Sequence, residues 1–144
     1  MSEKITVLYC EDEIDLRENG IDILGDIFPG STVICCENGV EGQRELERGT
    51  EFDLILSDYN MPSSGGRSGD GKTLYEYYKK TKIKAPFVIC SGRHEEEFKE
   101  YLEDEDFFYL EKVAFSFSSK KWFQEILEMH NEMKKKAVKG GSNG

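Results

Sequence analysis

The chain has 144 residues, 38% hydrophobic and 33% charged, which allows one domain with a proper core and little beyond it. Its formal net charge of −10 argues against direct contact with nucleic acid, whose phosphates are held by clustered Lys and Arg. No apolar run approaches the length of a membrane span, and MSEKITVLY lacks the layout of a secretion signal, so a cytoplasmic protein without membrane contact is expected.

In chain order the pattern alternates between short apolar runs and longer amphipathic ones. Ile5 to Tyr9 reads as a strand, followed at once by Glu11, Asp12 and Glu13. Residues 14–28 carry Ile14, Ile21, Leu24, Ile27 and Phe28 at helical spacing, weakened by Gly20 and Gly25. Thr32 to Cys36 is a second strand, Gly39 to Arg48 a short helix, and Asp53 to Ser57 a third strand that stops at Asp58. A long loop leads to a helix over Lys72 to Lys80, with Leu74, Tyr77 and Tyr78 inward. Pro86 to Cys90 is the fourth strand, and Glu95 to Leu102 a charged helix with Phe98, Tyr101 and Leu102 on one face. Phe107 to Glu111 is the fifth strand, and a last helix runs from about Ser119 to Lys136. Residues 1–137 thus form one domain, and 138–144 a disordered tail with too little to bury. The four cysteines lie inside apolar runs without metal-type spacing and read as buried thiols in a reducing compartment.

Five strands alternating with five helices predict an α/β fold, a doubly wound parallel sheet with helices on both faces. The flavodoxin-like strand order 2-1-3-4-5 fits a chain of this length. In such a sheet all strands end on the same side, so residues just past those ends are forced together. Here they are Glu11 and Asp12, Asp58, Ser91 and Lys112. Three carboxylates in one crevice need neutralising, and Mg²⁺ is the natural partner, a hard ion that takes carboxylate, water and phosphate oxygens. Shielded in this way, Asp58 is expected to attack phosphorus and become an aspartyl phosphate, with Lys112 holding a phosphate oxygen as a point charge.

The constellation resembles the receiver domain of two-component response regulators, over about residues 4 to 130. VLYCEDE resembles the family's first strand and acidic pair, LILSDYNMP its phosphoacceptor segment, FVICSG its fourth strand and FFYLEK its fifth. The resemblance implies a stand-alone receiver with Asp58 as phosphorylation site, Asp12 as direct metal ligand and Glu11 acting through water. It further implies Asn60 as donor of a backbone carbonyl to the metal, Ser91 as switch hydroxyl and Tyr109 as rotating aromatic. The implied donor is a sensor histidine kinase or histidine phosphotransfer protein. The implied output is a downstream protein that reads the surface of the fourth helix, fifth strand and fifth helix. With Trp122 nearby, that surface also suits a weak homodimer of an otherwise monomeric chain. The chain would catalyse its own phosphorylation and dephosphorylation without being a conventional enzyme.

Two departures stand out. Val113 follows Lys112 where the family usually has proline, often with a cis bond, so a trans bond and a reshaped loop around Phe115 are expected. A glycine-rich insertion, SSGGRSG, lies between Pro62 and Asp70. It makes Gly66 to Thr73, GRSGDGKT, match the Walker A phosphate loop. A P-loop NTPase is nevertheless disfavoured, because the first glycine starts well beyond the strand and no room remains for an NTPase core after the helix. The insertion reads as a loop, with Asp70 capping the next helix, that could gate access to Asp58. His94 and His130 have no partner at metal spacing and read as surface and helix residues. The alternative function is a receiver-like interaction module that works without phosphorylation.

Overall fold

The computed structural model of the chain describes residues 4–59, 61, 70–92 and 95–142. Five strands, β1 (Thr6–Cys10), β2 (Thr32–Cys36), β3 (Leu54–Asp58), β4 (Phe87–Ser91) and β5 (Phe107–Glu111), form one sheet in the order β2-β1-β3-β4-β5. All four pairings are parallel. Among the described residues four α-helices accompany them: α1 (Ile14–Ile27), α2 (Gly39–Glu47), α3 (Asp70–Lys79) and α4 (Lys120–Ser142). This is the flavodoxin-like arrangement that the alternating pattern predicts.

Each face of the sheet has its own core. On one face Leu8, Cys10, Ile55, Phe87 and Ile89 pack with Leu46 of α2 and with Leu74, Tyr75 and Tyr78 of α3. On the other, Val7, Tyr9, Leu54, Leu56, Val88 and Leu110 pack with Leu24 and Ile27 of α1 and Phe123 of α4. Strands covered on both sides have no polar face to offer, which is why their sequences run apolar without alternation.

Several local expectations change. Ile14 and Ile21 of α1 are exposed, and the helix instead seats Gly20, Leu24 and Ile27 on the sheet. Gly20 is there for space: a Cβ at this position would lie 2.1 Å from the Tyr9 hydroxyl oxygen. On α3 the inward residues are Leu74, Tyr75 and Tyr78, with Tyr77 only partly buried.

The largest change concerns the helix expected over residues 95–102. Glu95–Phe98 forms a single 3-10 turn, followed by further i to i+3 turns as Tyr101 N–H donates to Phe98 and Asp104 N–H to Tyr101, both at 2.9 Å. A repeat of three residues per turn aligns Phe98, Tyr101, Asp104 and Phe107 on one side. Phe98 and Tyr101 are buried, Asp104 accepts the Tyr75 hydroxyl at 2.6 Å, and Leu102 is 43% exposed. With these four anchors spaced by three, an α-helix would turn one of them away from the body.

The final helix continues to Ser142, past the end expected near Lys136. At 23 residues it is about 35 Å long, against about 17 Å for a five-residue strand, so it overhangs the sheet. Beneath the overhang lies a cleft of about 890 Å³ whose lining includes Leu46, Phe52, Ile83, Lys84, His130 and Met133. His130, a residue of the last helix as expected, is buried, its Nε2 3.2 Å from Asp106. The cleft sits at the N-terminal edge of the sheet, opposite the edge where the acids gather. Among the described residues no helix is long and apolar enough to cross a membrane.

Candidate functional site

The C-terminal edge collects its charged groups by simple strand alternation. Side chains two apart share a face. Tyr9, Leu56 and Leu110 all belong to the core under α1 and α4. Stepping two residues on from each gives Glu11, Asp58 and Lys112. The three meet: the Lys112 ammonium lies 3.1 Å from Glu11 Oε1 and 3.1 Å from Asp58 Oδ2. Asp12 completes the group, with one oxygen from each of Glu11, Asp12 and Asp58 lying within 4.8 Å of the others.

Backbone contacts fix the acids. Glu11 N–H extends the β1–β2 ladder to the Cys36 carbonyl at 3.0 Å, and Arg17 Nη1 donates to the Glu11 carbonyl at 2.9 Å. Tyr59 N–H donates to Asp58 Oδ1 at 2.8 Å, so among the described residues each Asp58 oxygen meets a donor. The start of α3 closes the other side. Gly71 N–H donates to the Tyr59 carbonyl at 2.8 Å, and a Cβ on Gly71 would lie 2.2 Å from the Asp58 carbonyl oxygen. Only glycine allows that approach.

The electrostatics are unbalanced. Three ionised carboxylates against one ammonium leave two formal negative charges. Glu11 is buried, and desolvation together with the Asp58 charge pushes its carboxyl up to about 7 although Lys112 pulls the other way. Burial works to lower the Lys112 ammonium, but Asp58 and Glu11 outweigh it and hold it above its ordinary range. Cys90, next to Asp58 in the register, is pushed up to about 12 by burial and by that aspartate. An all-oxygen donor set with two negative charges unmatched fits a hard divalent cation such as Mg²⁺.

Ser91 and Tyr109 lie on the opposite face of the sheet edge. Ser91 ends β4 two residues beyond Ile89, on the side of α2 and α3, and is 2% exposed. Tyr109 shares that side, partly buried, and its hydroxyl donates to the carbonyls of Ser91 at 3.3 Å and Gly92 at 3.1 Å. Of the five strand-end residues read from the sequence, four thus form one ionic group, and Ser91 lies on the other face with Tyr109. Asn60, the loop 62–69 and His94 lie outside the described residues.

The Lys112–Val113 bond is trans, no cis peptide occurring among the described residues. A 3-10 turn, Lys112–Ala114, follows, leaving Val113 90% exposed and sending Phe115 inward against Tyr9 and Phe123, both at 6.1 Å between ring centroids. The Lys112 ammonium reaches the acids from this turn without proline. Lys72, the lysine of the Walker-like match, points elsewhere. Its ammonium is 3.3 Å from Glu100 and sits over the Tyr101 ring.

Tyr59, Gly71 and Arg17 also shape the site. Tyr59 and Gly71 had a legible signal: one is the aromatic residue straight after the central acid, the other the glycine opening the next helix. Arg17 had none, since its target is a backbone carbonyl.

No family model matches the sequence, and no curated protein matches it. Solved structures do. A response regulator receiver domain (CheY-like) from Methylobacillus flagellatus is 23% identical, the match covering 86% of this chain and 99% of that one, with a TM-score of 0.69. A response regulator receiver protein from Sinorhizobium medicae WSM419 is 21% identical over 89% of this chain and 98% of that one, at 0.72. A response regulator receiver domain protein from Clostridium thermocellum is 22% identical over 91% and 97%, at 0.68. This chain has the fold of CheY-like response regulator receiver domains.

Proposed function

We propose that this receiver-fold chain is a phosphorylation-activated switch of a two-component or phosphorelay system, with Asp58 as phosphoacceptor. The observation that carries the reading is the convergence of Glu11, Asp12 and Asp58 within 4.8 Å, with Lys112 bridging two of them. A carboxylate at a strand end could be a cap. Three beside one ammonium are costly to gather and have no structural need to meet.

In the proposed step one Asp58 carboxylate oxygen attacks the phosphorus of a phosphohistidine on a sensor kinase or phosphotransfer protein. A P–O bond forms as the P–N bond breaks, and the imidazole leaves with the electron pair and picks up a proton from water. Lys112 holds a phosphoryl oxygen as charge shifts outward. Attack by water later returns the carboxylate and releases inorganic phosphate. Glu11, Asp12 and Asp58, with the Asn60 carbonyl, would hold Mg²⁺, which supplies positive charge between the acids and the incoming phosphoryl oxygens. Ser91 turns toward the phosphoryl group and Tyr109 moves with it, and a downstream protein reads the altered surface. The chain acts in the cytoplasm as a monomer or weak homodimer.

Incubation with acetyl phosphate and Mg²⁺, followed by intact mass, tests the reading. One added phosphoryl mass, absent in Asp58→Asn, is expected. An unchanged mass, with partner binding indifferent to Asp58→Asn, would instead establish a phosphorylation-independent module. The replacement of the helix at 95–102 by 3-10 turns is the observation that favours this second reading, since it alters the output surface.

A further inference from the structure

Segment 95–106 carries eight Asp or Glu and one Lys in twelve residues. Its backbone is held by i to i+3 bonds, with those of Lys99 and Phe107 long at 3.4 and 3.3 Å. Such turns are weak, and the like charges repel each other. The segment therefore depends on a few side-chain anchors, above all Phe98, which is fully buried. Phe98 stands between two residues of the site. The Tyr59 ring meets it edge-on at 4.8 Å, and the Tyr109 ring lies 5.6 Å away.

We infer that Tyr59 is a positioning residue that couples the state of Asp58 to the fold of segment 95–106, through its ring on Phe98. The inference rests on Asp58 being the phosphoacceptor. The main chain of Tyr59 is tied to Asp58 Oδ1 on one side and to Gly71 on the other, both at 2.8 Å, so it does not move independently of the carboxylate. An ionised carboxylate oxygen is a strong, charge-assisted acceptor. Once Asp58 is an acyl phosphate, that charge sits on the phosphoryl oxygens. The Tyr59 N–H then keeps a weaker neutral bond or turns to a phosphoryl oxygen, and either rotation carries the ring across Phe98. The phenol is linked to the same segment: burial first, and then its bond to Glu97, raise the Tyr59 hydroxyl above its ordinary range. A segment of weak turns held in place by side-chain anchors responds to the displacement of one.

The test follows hydrogen exchange of peptides spanning 95–106, with and without beryllium fluoride and Mg²⁺ as a phosphoryl mimic, the adduct being counted by fluorine NMR. In the unaltered chain the exchange rate is expected to change by about 10-fold or more on adduct formation. Tyr59→Phe keeps the ring and the response. Phe98→Leu, which keeps an apolar anchor, forms the adduct but shows less than about a 2-fold change. Tyr59→Ala, with Phe98 in place, loses the response as well. A full response in Phe98→Leu, or an adduct in the unaltered chain with no change in the segment, overturns the coupling alone. No adduct in the unaltered chain overturns the phosphoacceptor reading, and the coupling with it.

Discussion

Glu11 is the residue whose protonation sets how the site responds to pH. Its carboxyl moves from 4.5 to about 7 on folding, so between those values the folded chain holds a proton that the unfolded chain has released. Stability is therefore greatest below about pH 4.5 as far as this group is concerned, falls as pH rises and levels off above 7. Glu11→Gln removes the effect. Urea melts should show the variant gaining about 1–3 kcal/mol on the parent between pH 5 and pH 8. The proposed Mg²⁺ would reverse the trend, because its binding requires the ionised form. It should raise the melting temperature more at pH 8 than at pH 6. Gly71 answers to sterics instead. A Cβ 2.2 Å from one backbone atom and 3.0 Å from another cannot be accommodated by a rotamer change, so α3 must retreat from Asp58. Gly71→Ala should cost about 2–4 kcal/mol in thermal or chemical melts.

At the scale of elements, most of the fold was legible because the strands are short, apolar and closed off by charged or turn-forming residues. Glu11 and Asp58 stood out as the first charges after two such runs, and Lys112 as the first residue past the fifth strand. Their sharing a face follows from alternation, which is local. The helix over 95–102 misled because Phe98 and Tyr101 satisfy a period of 3.6 as readily as one of 3.0, and Leu102, which fits only the first, tipped the pattern toward it. The decision came from residues far away in sequence, the Tyr75 hydroxyl that claims Asp104 and the Tyr59 ring that claims Phe98. Ile14 and Ile21 misled for a related reason: the packing partner of α1 turned out to be a tyrosine lying under Gly20. Substitutions separate the two geometries at 95–106. Leu102→Asn should change stability by less than about 0.5 kcal/mol, whereas Tyr101→Ala should cost about 2–4 kcal/mol, both read from urea melts. Comparable losses at the two positions would restore the α-helix.

For the whole molecule, the strand order separates the groups of the site in time as well as in sequence. β1 lies between β2 and β3, so the first 58 residues can assemble three neighbouring strands and bring Glu11, Asp12 and Asp58 together. Their ammonium comes from residue 112, beyond two further strands. An N-terminal nucleus would gather the acids before their counter-ion arrives, and their repulsion would then raise the folding barrier rather than only the energy of the finished fold. Millimolar Mg²⁺ should accordingly speed refolding at pH 8 by several-fold and do so less in Asp58→Asn, as followed by stopped-flow fluorescence of Trp122. A chain emerging from the ribosome meets that charge problem half-way through its synthesis, and the ion proposed for the finished site would also serve as its folding aid.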